Sequence, residues 1–262
     1  MRQIGFWAIL LGAIVLYGPA LDGGLIWDDI GYVYFSAQCE TVEWWKSVAF
    51  FLWGSREAYP MGTYRPVLEL TYVFEYRLWG VEALGYRVTN LLLHIGSSLM
   101  LVAVARRLGM TRFAAWTAGV LFAVSPAHPE SCLWLSCRVN LLAAFCMLGA
   151  VRSHLAGHRV RGLIWALFAF GSKETAYVLP PLLAWWSWWS ADASGFRARS
   201  FAALRSTAAL WVALGLVISM RYHTLGELVG GYAWREPPPF VSWTYLRERL
   251  DLLLVTFAPV NL

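Results

Sequence analysis

Charged residues are scarce in this chain, and their scarcity excludes an ordinary soluble domain. Asp, Glu, Lys and Arg make up 14% of the 262 residues, whereas about a quarter is typical of soluble domains. Hydrophobic residues make up 59%, 16 residues are Trp, and the mean hydropathy is +0.53. Because the apolar runs approach the ~20 residues that cross a hydrocarbon core, we expect one polytopic membrane domain over residues 1–262.

Several sequence patterns are also missing. The chain has no array of ~34-residue helical repeats, and it has no clear pair of related halves of the kind common in transporters. No small-x-small cleavage site precedes the polar turn at Asp22, so we expect the first apolar run to be a retained helix and not a cleaved signal peptide. The net charge is +5, but the arginines are scattered between apolar runs and do not form the basic patch that binds nucleic acid. We therefore expect no nucleic-acid partner.

The apolar runs predict seven membrane spans and the start of an eighth. They lie at about 4–20, 86–105, 113–127, 132–150, 162–171, 175–190 and 205–221, with the eighth beginning near 250. A long segment, about 21–85, separates the first two spans. Its stretch TVEWWKSVAFFLW has an aromatic and aliphatic face with isolated charges, which predicts a helix lying in the membrane interface.

The arginines predict the orientation of the chain. Short cytoplasmic loops carry an excess of Lys and Arg. If the N-terminus is cytoplasmic, the two short outer loops hold only Arg138 and Lys173, in agreement with this rule. The three short inner loops then hold nine arginines, at 106, 107, 112, 152, 159, 161, 197, 199 and 205. Segment 21–85 and almost all carboxylates therefore fall on the exoplasmic side, where disulfides are permitted. Whether the cysteines pair or only pack is left open.

Polar residues from four segments converge on the outer side in this topology. They are Asp28, Asp29, Tyr64, Arg65, His128, Glu130, Arg138, Lys173 and Glu174. Ionisable groups at the membrane edge are costly unless they face a cavity or one another, so their convergence indicates a functional site, although solvated loop charges are the alternative. Cations can hold a leaving phosphate while a carboxylate takes a proton from a hydroxyl, which favours group transfer from a lipid phosphate.

Five motifs occur in an order that resembles a known superfamily. They are WDD at 27–29, YRPV at 64–67, GYRVTNLLLH at 85–94, HPESCLWLSCRVNLLAA at 128–144 and SKE at 172–174. Together they resemble the GT-C superfamily of polyprenyl-phosphate-sugar-dependent glycosyltransferases, and in particular the transmembrane and tetratricopeptide-repeat O-mannosyltransferases with their bacterial relatives. The stretch at 246–262 looks like the start of a further helix, so we expect the domain to be incomplete at its C-terminus.

The resemblance implies a fold, a reaction and roles for individual residues. The fold would be an all-α GT-C-like bundle of about 7–8 transmembrane helices with interfacial helices in the first exoplasmic loop. The reaction would be an inverting displacement at the anomeric carbon, with Asp28 as base and Asp29 as its partner. Candidate ligands of the lipid phosphate are Arg65, Arg138 and Lys173. His128 and Glu130 would shape the acceptor or sugar pocket, with Tyr64, Glu174 and His94 as further pocket residues.

Other features of the function stay open in the sequence. No cofactor is expected to be required, although Asp28 and Asp29 could hold Mg²⁺ or Mn²⁺. The acceptor could be a protein, a lipid or a glycan, and the bilayer would be a bacterial inner membrane with the site on its periplasmic side. Asn90 and His94 share a helix face and either line the cavity or bond between helices. The alternative function is a transporter, a flippase-like protein or a noncatalytic protein that binds a lipid phosphate.

Overall fold

The computed structural model describes residues 2–59 and 62–228, and in these ranges the secondary structure is entirely helical. The expected all-α fold is therefore confirmed for the described chain. The helices are α1 (Arg2–Tyr17), α2 (Asp28–Ala37), α3 (Trp44–Trp53), α4 (Pro66–Trp79), α5 (Ala83–Arg107), α6 (Arg112–Ala123), α7 (Pro129–Leu133), α8 (Arg138–Leu155), α9 (Arg159–Phe170), α10 (Leu179–Trp189) and α11 (Phe196–Leu225). Short 3₁₀ turns lie at Gly18–Ala20, Arg56–Ala58, Leu135–Cys137 and Glu174–Val178.

Four helical segments of the described chain are long and apolar enough to cross a membrane. They are Arg2–Ala20, Ala83–Arg107, Leu135–Leu155 and Phe196–Leu225. The chain is thus a multi-pass membrane protein. The other three expected spans correspond to α6, α9 and α10, which have only 11 or 12 residues each and rise less than the ~30 Å of a hydrocarbon core. The total of seven or eight spans stays a prediction, and the eighth, near 250, lies outside the described residues.

The segment between α1 and α5 folds into three helices. In α3 the side chains of Trp44, Trp45 and Trp53 are exposed while Ser47 and Phe51 are buried, which is the distribution expected of a helix lying in the interface. Helix α4 begins at Pro66. Proline suits the first position of a helix because a backbone N–H there has no acceptor within the helix. Helix α4 packs against α5 and α8.

Helix α5 lies between two groups of packed helices. On one side, α1 and α6 bury Ile9, Ala13 and Ala115 against it. On the other, α8 packs against α5 and α9, and α11 packs against α9 and α10. The close approach of α8 and α9 depends on Gly149, because a Cβ there would lie 2.6 Å from the ring of Trp165. Helix α5 therefore connects the N-terminal helices to the larger core.

A buried arginine joins α4, α5 and α8. The guanidinium of Arg138 is fully buried and forms an ion pair with Glu75. Its Nε donates to Asn90 Oδ1 at 2.8 Å, and its Nη2 donates to the carbonyl of Tyr86 at 2.9 Å. The ring of Tyr72 lies 4.5 Å from the guanidinium carbon, within the range of a cation–π contact. The anion that Arg138 requires is therefore supplied by the protein itself.

Replacing Glu75 by Ala should strongly destabilise the fold. The change leaves the Arg138 guanidinium buried without its carboxylate, and losing one partner of a buried pair costs about 3–5 kcal/mol. We expect a loss of this size in the free energy of unfolding, measured by titration with a denaturing detergent in mixed micelles. Glu82→Ala, at an exposed position just before α5, is the matched control. Equal stability of the two variants would contradict a structural role for the pair.

Candidate active site at the first loop

The two adjacent carboxylates of the first loop have different environments. Asp29 is fully buried. Its Oδ1 accepts hydrogen bonds from the amide of Ser136 at 2.9 Å and from the Ser136 hydroxyl at 2.7 Å, and its Oδ2 accepts from the amide of Ile26 at 3.2 Å. Asp28 is exposed at the first residue of α2, where the helix dipole favours a negative charge. One carboxylate is thus bound by the protein, and its neighbour faces outward.

A second group of charges forms where α4, α11 and the turn after α9 meet. Arg65 donates from Nε and Nη2 to Glu174 Oε2, at 3.2 and 3.0 Å. Arg221 donates from Nη1 to the other oxygen of Glu174 at 2.7 Å. Burial raises the pKa of Glu174, but the two guanidinium groups outweigh burial and hold that pKa below its usual value. A single carboxylate therefore bridges two arginines from distant parts of the chain.

Lys173 adds a third cation to this group. It is half-buried, and its Nζ donates to Asn140 Oδ1. Burial and then the positive charge of Arg65 lower the pKa of the Lys173 ammonium group. We name Arg65, Lys173 and Arg221 the cation cluster. Arg65 and Lys173 are both partly exposed, and cationic groups of this kind can bind an anion such as a phosphate.

Tyr32 connects Asp28 to the cation cluster. It lies one helical turn after Asp28 on α2, it is buried, and it shares a hydrogen bond with Arg65. Burial is the main cause that raises the pKa of Tyr32, and the negative charges of Glu69 and Asp28 add to the effect. The tyrosine therefore lies within electrostatic reach of both the exposed carboxylate and the cations. Asp28 and Arg65 therefore both influence the same tyrosine.

Glu69 is a buried carboxyl group inside this site. It lies one turn after Arg65 on α4 and is only 2% exposed. Burial raises its pKa to about 8, against the opposing effect of the Arg65 charge. Glu69 is therefore mostly protonated at neutral pH. Glu69 was not among the predicted site residues, although a carboxylate within the apolar run PVLELTY is a signal that could have identified it.

An apolar groove of about 360 Å³ adjoins the cation cluster. Its lining is Leu52, Tyr64, Pro66, Val67, Ile164, Leu167, Phe168, Gly171, Val217 and Met220. Pro66 directly follows Arg65, and Met220 directly precedes Arg221, so two of the lining residues are chain neighbours of the cation cluster. The buried Tyr64 donates its hydroxyl hydrogen to the carbonyl of Leu52 at 3.0 Å. Its ring forms part of the groove wall.

The remaining predicted site residues lie in other surroundings. His94 Nε2 hydrogen-bonds to the carbonyl of Ala123 at 2.9 Å, and its ring lies 5.3 Å from that of His128, among the residues that pack α1, α5 and α6. Asn90 hydrogen-bonds to Arg138. Both polar residues on that face of α5 therefore form hydrogen bonds between segments, which was one of the two expected roles. Glu130 is exposed and accepts a hydrogen bond from the Cys137 thiol at 3.7 Å. The four cysteines are unpaired.

Three further residues of the site could not be identified from the sequence. Ser136, Asn140 and Arg221 contact Asp29, Lys173 and Glu174 across large separations along the chain. Ser and Asn at helical positions carry no pattern that distinguishes a ligand from a packing residue. Arg221 lies at the end of an expected span, where a long basic side chain can extend to the membrane interface.

Fold and site together define a helical multi-pass membrane protein with an acidic first loop and a cation cluster beside an apolar groove. Protein O-mannosyl-transferase Tmtc1 of Drosophila melanogaster is 32% identical over 177 residues, which cover 63% of this chain and 20% of the relative. Tmtc2 of the same organism is 31% identical over 153 residues, 57% of this chain and 16% of the relative. Human TMTC4 is 31% identical over 166 residues, 55% of this chain and 22% of the relative.

These relatives confirm the resemblance that the five motifs indicated, because all three carry the name of protein O-mannosyl-transferases. The alignments span only about a fifth of the length of each relative. No family model and no solved structure matches the chain.

The raised pKa of Glu69 predicts a pH-dependent stability. The folded protein holds the proton up to about pH 8, whereas a carboxyl group in the unfolded chain releases it near pH 4.5. The stability associated with protonated Glu69 is therefore complete below about pH 4.5 and is lost as the pH rises to about 8. In Glu69→Gln, which mimics the protonated acid, this decline should disappear.

The measurement is the free energy of unfolding in detergent between pH 4.5 and 8.5. Glu43→Gln, at an exposed position before α3, should keep the decline of the wild type. If the free energy of unfolding of Glu69→Gln falls with pH as much as that of the wild type, titration of Glu69 is not the cause of the decline.

Proposed function

We propose that the chain forms the catalytic part of a membrane glycosyltransferase that moves a sugar from a polyprenyl phosphate to an acceptor hydroxyl. The observation that carries this proposal is an exposed carboxylate, Asp28, one helical turn before Tyr32, which hydrogen-bonds to Arg65 of the cation cluster. A proton acceptor and a group of cations are the two components that this transfer requires. The names of the relatives favour mannose as the sugar and a protein as the acceptor.

Asp28 acts as the general base in this mechanism. It takes the proton from the acceptor hydroxyl as the hydroxyl oxygen attacks the anomeric carbon. The bond from the anomeric carbon to the phosphate oxygen breaks on the opposite face, and the polyprenyl phosphate leaves with the electron pair. The configuration at the anomeric carbon is inverted, and no covalent enzyme intermediate forms. Asp29 takes no part in proton transfer because its oxygens already accept three hydrogen bonds.

The cation cluster neutralises the charge that develops on the leaving phosphate. Arg65 presents Nε and Nη2 to Glu174, and a phosphate can accept the same pair of hydrogen bonds. Lys173 and Arg221 complete the cluster. Arg138, which was expected to contribute, is assigned a structural role in this proposal because Glu75, Asn90 and Tyr86 hold its guanidinium.

The apolar groove suits the first prenyl units of the donor. Its walls are almost entirely aliphatic and aromatic, and they include Pro66 and Met220, the chain neighbours of Arg65 and Arg221. An isoprenoid chain in this groove would place the attached phosphate at the cations, while burial of the chain supplies binding free energy. The same arrangement accounts for a lipid-linked donor better than for a soluble nucleotide sugar, whose polar headgroup would leave the groove empty.

The positions of the arginines support the orientation of the site that we propose. We propose a cytoplasmic N-terminus and an exoplasmic site, since the first loop, Lys173 and Arg65 lie at the opposite helix ends from Arg106 and Arg107. In a bacterial inner membrane this side is the periplasm.

We propose that no divalent cation is required. Paired carboxylates bind Mg²⁺ or Mn²⁺ through free oxygens, and those of Asp29 are engaged by Ser136 and Ile26. Among the described residues, no three His, Cys, Asp or Glu side chains are grouped as metal ligands. Transfer should therefore persist in EDTA.

Asp28→Asn should abolish most of the transfer while donor binding is kept. A general base contributes ~10²–10⁴-fold to the rate, so kcat should fall at least a hundredfold. The assay measures transfer from radiolabelled polyprenyl-phosphate mannose to serine- and threonine-rich peptides by the full chain in lipid nanodiscs, with and without EDTA. Glu40→Gln, an exposed acidic position in the same loop, should leave kcat unchanged.

Two outcomes of that assay would contradict the proposal. Full activity of Asp28→Asn would remove Asp28 as the base. Tight binding of the donor by the wild type without transfer to any peptide, lipid or glycan acceptor would favour a transporter, a flippase-like protein or a noncatalytic lipid-phosphate-binding protein.

Arg65→Gln should weaken donor binding. Loss of a charge-assisted hydrogen-bond pair to phosphate costs about 1.5–3 kcal/mol, so we expect the Kd for polyprenyl phosphate to rise about 10- to 100-fold. The measurement is titration of nanodisc-bound protein with short-chain polyprenyl phosphate. Arg56→Gln, an exposed position of the first loop that pairs with Glu227 at 3.6 Å, is the matched control. Equal affinities of both variants would remove Arg65 from the phosphate site.

A further inference from the structure

The residue before Asp28 has a strained backbone. Trp27 has φ +45° and ψ −117°, and among the described residues it is the one non-glycine with positive φ. For a bulky residue this conformation costs of the order of 1–3 kcal/mol and persists only where its surroundings impose it. The conformation of Trp27 determines where α2 begins and therefore where Asp28 points. Contacts with other residues must therefore stabilise the backbone conformation of Trp27.

Three contacts tie this turn to the residues that precede α8. Asp29 accepts two hydrogen bonds from Ser136, at 2.9 and 2.7 Å. The ring of Trp27 packs edge-on against Trp134, with centroids 5.7 Å apart and an angle of 82°. Both contacts join residues more than a hundred positions apart. They flank Asp28 on each side along the chain.

Arg87 provides the third contact. Its guanidinium is nearly buried and donates to the carbonyls of Gly23 and Gly24, the latter at 2.5 Å, and to that of Leu133 at 3.0 Å. A Cβ at Gly23 would lie 3.3 Å from Arg87 Nη2, so a glycine allows this close approach. Arg87 therefore connects the start of the first loop to the same segment, residues 133–136, that holds Asp29 and Trp27.

We propose that Ser136 is a positioning residue for Asp28. Its hydroxyl and amide hold Asp29, Asp29 holds the first turn of α2, and that turn directs the Asp28 carboxylate toward the reacting hydroxyl. The inference rests on the proposed function for the role of Asp28. It adds a residue that does not touch the substrates and that determines the orientation of the base. Residues 133–136 are thus a fixed support for the acidic loop.

Ser136→Ala tests this role because it removes the hydroxyl and keeps the hydrogen bond from the backbone amide of residue 136 to Asp29. We expect kcat to fall about tenfold or more while KM for donor and acceptor changes by less than about twofold. Ser136→Thr keeps a hydroxyl and should restore at least half of the wild-type kcat. Amide hydrogen exchange of residues 24–30, followed by mass spectrometry, should be about tenfold faster in Ser136→Ala. The full chain in nanodiscs is used throughout.

Ser98→Ala is the matched control, since Ser98 is a fully buried serine whose hydroxyl bonds to the carbonyl of His94 within α5 at 2.9 Å. It should change neither kcat nor exchange of residues 24–30. Unchanged kcat and unchanged exchange in Ser136→Ala would overturn the inference, as would an equal fall in Ser98→Ala.

The proposed function and this inference fail in different ways. If Asp28→Asn is fully active, Asp28 is not the base and the catalytic role of Ser136 is overturned with it. If Asp28→Asn is inactive and Ser136→Ala is as active as the wild type, only the positioning role is overturned.

Discussion

Burial of the Arg138 guanidinium is the constraint on which the arrangement of this site depends. A buried cation is costly unless an anion and hydrogen-bond acceptors surround it, and here Glu75, Asn90 and the carbonyl of Tyr86 meet that need. The contacts fix α4 and α5 against the first turn of α8. Ser136 lies two residues before Arg138, and Arg65 directly precedes α4, so the same packing places the support of the acidic loop and the first cation of the cluster.

Residues of the same type have different environments in and around the site. Asp29 is enclosed by donors while Asp28 is exposed, although the two are adjacent in the chain. Arg65 faces Glu174, whereas Arg138 is held inside the helix packing. In each case burial, and not the residue type, determines which group is exposed. The proposed function uses this difference by assigning the exposed carboxylate to the hydroxyl and the partly exposed arginine to the phosphate.

Sequence reasoning identified the elements of the site better than their roles. Asp28, Arg65, Lys173 and Glu174 were expected on one side of the membrane, and the structure brings Arg65, Lys173 and Glu174 close together. That Asp28 acts with them stays a prediction. Arg138 was expected to bind phosphate because an arginine at the edge of an apolar helix needs an anion. The sequence contains such an anion, Glu75, but only the crossing of α4 with α8 shows that the two meet. His94 and His128 instead pack among α1, α5 and α6.

Composition and hydrophobic periodicity were sufficient by themselves to establish an all-α membrane protein, because apolar runs in a bilayer must satisfy their backbone groups as helices. The order of short motifs was sufficient to establish the resemblance to the O-mannosyltransferases. Only the tertiary structure decided which carboxylate is free, which arginine is enclosed and which serine supports the loop. These properties depend on contacts such as Asp29 with Ser136 and Arg65 with Glu174, whose partners are 107 and 109 residues apart, and no local pattern specifies a partner at that distance.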